Sequence, residues 1–94
     1  MKDLTVQIYD LVLRLVGDRD RPYSFLDISR RREIFVAKNG AVWLDRRSGN
    51  MVYPQVRIDP DTRDVWWRSG VGKDEMRPLL LEFLSVLQDV SKDA

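Results

Sequence analysis

The side chains of this chain best suited to chemistry stand together in RDVWWRSG, residues 63 to 70, where Trp66 and Trp67 are adjacent and an arginine flanks them on either side. An indole ring stacks on flat partners and attracts cations, and a guanidinium pairs with carboxylates or phosphates. In a strand, neighbouring side chains point to opposite faces of the sheet. One of the two rings therefore enters a core and the other faces away from it. This is the chemistry of recognition rather than of bond making.

Catalysis finds little in the residue types. The 94 residues include no histidine, the commonest general base and metal ligand, and no cysteine. Serine, threonine, lysine and carboxylates remain, without a partner pattern that would activate them. SGVGKD, residues 69 to 74, ends like a phosphate-binding loop. Such a loop needs a glycine where Trp67 stands and a hydroxyl where Asp74 stands, so both the backbone approach and the magnesium ligand are lost. Asp74 and Glu75 suit a helix N-terminus instead. DPDTRD, residues 59 to 64, gathers three aspartates but lacks the mid-loop glycine and terminal glutamate of a calcium loop. It reads as a turn. No catalytic residue, metal ligand or cofactor site is assigned, and the chain is not expected to be an enzyme.

The charge balance is close to neutral, at +1, with twelve arginines against four lysines. Its distribution is uneven. Residues 30 to 73 carry an excess of five positive charges, and both terminal segments are acidic. SRRRE (29 to 33) and DRRSG (45 to 49) are the basic clusters, with Glu33, Asp45 and Asp64 among them. A dedicated nucleic-acid surface is usually more strongly basic. The longest apolar runs are four residues, against about twenty for a membrane-spanning helix. Asp3 and Asp10 do not suit a signal peptide. A cytoplasmic location is the default expectation.

These side chains need elements to place them. Apolar residues at Leu4, Ile8, Leu11, Val12 and Leu15 have helical spacing, which predicts a helix from Lys2 to Val16, stopped by Gly17 and followed by the polar loop GDRDRP. Val6, Tyr9, Leu13 and Val16 widen its apolar arc beyond half the circumference. Ser24 and Asp27 have capping-box spacing, which predicts a short helical turn from Phe25. Over 33 to 38 a helix competes with a strand. Asn39-Gly40 between β-rich runs favours a hairpin over EIFVAKNGAVWLD. RRSGN (46 to 50) is a turn, and MVYPQVRI (51 to 58) a strand whose Pro54 demands an edge or a bulge. VWWRS (65 to 69) is the last strand. A helix over about 75 to 90 follows, with Pro78 in its first turn. The expected fold class is one α+β domain over residues 1 to 94: an antiparallel three- to four-stranded meander flanked by an N-terminal and a C-terminal helix, α-β-β-β-β-α, in two layers.

Alternation then sorts the side chains. Ile34, Val36, Val42, Leu44, Val52, Val56, Ile58, Val65 and Trp67 form the core face. Phe35, Trp43, Tyr53 and Trp66 collect on the other, with Arg57 and Arg68 among them. Either the first helix covers that second face as another core layer, or the face stays open. If open, contiguous exposed aromatics mark a binding site, and Trp, Tyr and Arg dominate binding hot spots. The candidate partner-binding residues are Trp43, Tyr53, Arg57, Trp66 and Arg68, with Arg46 and Arg47 steering from an adjacent loop. The function this implies is a small non-enzymatic protein-binding module, an adaptor, inhibitor or phage-type modulator. Its partner would be another protein with an acidic surface. A single-stranded nucleic-acid binder using the same face is the first alternative. A structural homodimer, resting on the broad arc of the first helix and on Leu81, is the second.

Overall fold

The helical spacing at the start of the chain is realised as α1 (Leu4–Val16). Asp3 caps it by accepting from the Thr5 backbone N–H at 2.9 Å, and Gly17, at φ 67°, ends it by donating to the Leu13 carbonyl. A left-handed residue closing a helix is the usual role of glycine. The computed structural model describes residues 3–17 and 22–93, so most of the expected GDRDRP loop, like Lys2, lies outside the described residues.

Five strands follow: β1 (Tyr23–Asp27), β2 (Arg32–Val36), β3 (Val42–Ser48), β4 (Met51–Ile58) and β5 (Val65–Trp67). They pair in sequence order as one antiparallel meander, β1-β2-β3-β4-β5. The chain then closes with α2 (Lys73–Asp93). The fold is a two-layer α+β arrangement with one strand more than the sequence suggested. The extra strand is β1, where a helical turn was expected from Phe25. Tyr23 and Phe25 alternate inward against the core while Ser24 and Leu26 point away. Asp27 takes no part in a capping box. Its carboxylate accepts from the Ser29 hydroxyl at 2.7 Å and the Arg30 N–H at 3.0 Å, which folds the turn into β2.

Residues 33 to 36 are strand, as the Asn-Gly hairpin required. The connection is a three-residue loop, not the two-residue turn expected: Ala37 donates to Ala41, Gly40 donates to Ala37, and Gly40 takes a φ of 92°. The β3–β4 hairpin turns tightly at Gly49-Asn50, with Ser48 opposite Met51. Arg46 and Arg47, expected in a loop, are therefore strand residues.

The register slips between Leu44 and Asp45. Leu44 faces Val56 but Asp45 faces Pro54, which leaves Gln55 as an extra residue on β4. This is a β-bulge, and it meets the demand Pro54 made of its strand in the interior of the sheet. The extra residue flips the parity of everything before it. Val56 and Ile58 keep their places in the core, whereas Val52, assigned to the core by simple alternation, is exposed. Tyr53 moves the opposite way and lies across from Arg46 on the helix side.

Both helices contribute to one core, with Ile8 and Val12 of α1 and Phe83 and Leu87 of α2 packed with Ile34, Leu44, Val56 and Ile58 of the sheet. α2 begins two residues earlier than expected, so Pro78 sits in its second turn. Glu75 returns its carboxylate to the Gly72 N–H at 3.1 Å, closing the helix start. The Arg63 guanidinium lies 3.8 Å from the centre of the Tyr9 ring and ties the β4–β5 turn to α1. Among the described residues no helix is long and apolar enough to cross a membrane.

Candidate functional site: the helix-free face of the sheet

Because α1 and α2 share one side of the sheet, the side chains of the other parity have no helix over them among the described residues. The register builds that face in rows. Ser24, Phe35, Trp43, Arg57 and Trp66 stand side by side across the five strands. The next row runs Leu26, Glu33, Asp45 and Pro54. Beyond it Arg47 faces Val52.

Trp66 answers the question its doublet raises. Trp67 packs against the core, while Trp66 remains 47% exposed. It leans edge-on against Trp43, with ring centres 6.2 Å apart and planes at 63°. That arrangement suits the quadrupoles of two aromatic rings. The Arg57 guanidinium lies 5.4 Å from the centre of the Trp43 ring and 3.5 Å from an Asp59 carboxylate oxygen. Leu26, 46% exposed, and Val52 extend the apolar surface. Ile28, in the β1–β2 turn, is also largely exposed.

Two carboxylates sit within this face. Glu33 and Asp45 are cross-strand neighbours, and both are buried by the large side chains around them. Glu33 holds a salt bridge to Arg47 at 2.5 Å. Asp45, only 4% exposed, has nothing comparable, and no donor among the described residues reaches its Oδ1. Burial, with the Glu33 carboxylate adding to it, pushes the Asp45 carboxyl up to about 6.

The seven candidate residues thus divide between two places. Trp43, Arg57, Trp66 and Arg47 belong to the helix-free face. Tyr53, Arg46 and Arg68 do not: Arg46 shares its side of β3 with the core residues Val42 and Leu44, the bulge at Gln55 turns Tyr53 to that same side, and β5 ends before Arg68. These three line a groove of about 620 Å³ under the start of α2. There Arg46 lies 4.9 Å from the centre of the Tyr53 ring, and Arg68 donates to the Gln55 side-chain oxygen at 2.9 Å. Arg32 pairs with Glu82 at 2.6 Å in the same groove, where Asp74 and Glu75 balance the remaining arginines. Its mixed charge and internal pairing favour a structural role.

Alternation singled out neither Glu33, Asp45 nor Leu26. The signal was present: Glu33 shares parity with Phe35, and Asp45 with Trp43. Among the described residues no group of three acidic side chains could hold a metal ion. Comparison with protein-family models, curated proteins and solved structures finds no match for this chain.

Proposed function

We propose that this chain is a small non-enzymatic binding module that engages another protein through the helix-free face of its sheet. The observation that carries the reading is Trp66: a large ring, half exposed and braced by Trp43, on the same face of the sheet as the exposed apolar side chains of Leu26 and Val52. A rigid aromatic anchor set in a partly desolvated surface is the usual centre of a protein interface. The two carboxylates in the same face weigh against single-stranded nucleic acid, whose phosphates they would repel. They also weigh against an acidic partner. That expectation rested on Arg46, Arg47, Arg57 and Arg68; Arg47 and Arg57 each have a carboxylate already, and Arg46 and Arg68 lie off this face. A cytoplasmic setting and a role as adaptor or inhibitor belong to the same proposal.

Photo-cross-linking side chains introduced singly at positions 66 and 26, in the living source cell, test it. Positions 6 and 81, exposed on α1 and α2, are the controls. One discrete protein adduct formed from 66 and 26 but not from 6 and 81 is expected. With that protein purified, Trp66→Ala should weaken binding by about 2 kcal/mol, roughly 30-fold in Kd. Adducts from the helix positions alone, or none from any position, would refute the reading.

A further inference from the structure

We propose that the segment docking on this face is apolar and presents a single arginine or lysine above Asp45. The inference rests on the protein-binding reading and adds the sign of the partner's charge.

The charges of the face do not balance at its centre. Glu33 and Asp45 are adjacent, and Arg47 is engaged by Glu33. Arg57 is turned to Asp59 and the Trp43 ring, and Arg31 lies with Leu26 and Arg47 at the β1–β2 end of the face. Among the described residues none of these cations pairs with Asp45, the more buried of the two carboxylates, and one of its oxygens receives no hydrogen bond. Buried carboxylates are ordinarily paired, because the desolvated charge is costly otherwise. Asp45 is only 4% exposed, and a docking partner excludes what solvent still reaches it, so the field of the carboxylate acts with little screening on the group that replaces that solvent.

A neutral partner would worsen the imbalance, and an acidic one would oppose it. A basic side chain relieves it. The rings select in the same direction: no arginine among the described residues lies over Trp66, and its indole surface beside Trp43 attracts a cation. The stem of an arginine or lysine covers apolar surface while its head stays charged. Phe35 and Val52, diagonal to Asp45 on the neighbouring strands, and Leu26, beyond Glu33 in the same row, then receive the apolar neighbours of that residue.

A peptide library displayed on phage and selected against the whole chain tests this, with affinities of the selected peptides then measured for wild type, Asp45→Asn and Trp66→Ala. The expected peptides carry one arginine or lysine between apolar residues. They lose at least tenfold in affinity with Trp66→Ala, with Asp45→Asn, and when their basic residue becomes citrulline or norleucine. Peptides sensitive to Trp66→Ala but without a basic residue, or indifferent to Asp45→Asn, would overturn this inference and leave the binding face standing. Peptides indifferent to Trp66→Ala, or no enrichment over an unrelated protein, would overturn both. Sedimentation covers the remaining occupant: a dimer dispersed by Trp66→Ala would show that a second copy, not a basic segment, fills the face.

Discussion

Replacing Asp45 with asparagine should stabilise this protein at neutral pH, although the residue is almost wholly buried. The carboxyl is pushed from 3.8 to about 6 in the folded chain, first by burial and then by the charge of Glu33. The folded state therefore holds this proton more tightly than the unfolded state does. The associated stability is complete below about pH 4, drains away as pH rises to about 6, and is gone above that. At about 1.4 kcal/mol per unit, the displacement is worth about 3 kcal/mol as an upper figure. Asparagine keeps the shape and carries no charge, so it should escape the loss. Urea unfolding at pH 4.5, 6.0 and 7.5 measures both proteins. With a slope of about 1–3 kcal/mol per molar, their midpoints should separate by up to roughly 1–3 M at pH 7.5 and draw together at pH 4.5. Titrations that do not couple to Asp45 cancel in the difference. Asp27, held down by the Ser29 hydroxyl and the Arg30 N–H, and Asp59, held down by the N–H groups of Thr62 and Asp61, lose their contribution only on acidification and do so in both proteins. A wild-type-minus-variant difference that stays level from pH 4.5 to 7.5, or that favours wild type increasingly as pH rises, would refute the assignment of Asp45 as an uncompensated buried charge.

Trp66→Phe should remove the fraction of tryptophan emission that acrylamide quenches most readily, since Trp43 and Trp67 are the more enclosed rings; an unchanged quenching curve would show that Trp66 is not the exposed indole. Gly40→Ala should destabilise by on the order of 1–3 kcal/mol in urea unfolding, because Gly40 takes a φ of 92° and an added Cβ would come within 3.2 Å of the Pro60 side chain. Phe83→Ala should cost about 3–5 kcal/mol by the same measurement, as its fully buried ring joins α2 to both α1 and the sheet.

Most of the architecture was legible because its signals are local. Apolar spacing marked both helices, Asn39-Gly40 marked the β2–β3 hairpin, and Asp59 was a turn residue in sequence and is one in space, accepting from the Asp61 and Thr62 N–H groups at 2.9 Å. β1 was hidden by a coincidence of types. Ser24 and Asp27 have the spacing of a helix cap, and only the inward alternation of Tyr23 and Phe25 against a core not yet assembled makes the segment a strand. Local chemistry offered two answers there, and burial chose between them.

The composition of the helix-free face shows the same limit more sharply. A strand's parity is reliable only between irregularities, and Pro54 announced an irregularity without locating it. The bulge falls at Gln55, so Val56, Arg57 and Ile58 kept the faces that alternation gave them while Val52 and Tyr53 exchanged theirs. One residue thereby takes Tyr53, and with it the Arg46–Tyr53 contact, to the helix side, and puts an exposed valine in its place. It also sets Pro54, rather than a hydrogen-bond donor, beside Asp45. The aromatic row stands where alternation put it, and the inserted residue sets what borders it: Pro54 beside Asp45 and an exposed Val52. What alternation read as an aromatic and arginine surface is, at this end of the sheet, an apolar one with a buried carboxylate at its centre, and this is the feature on which the proposed basic partner rests.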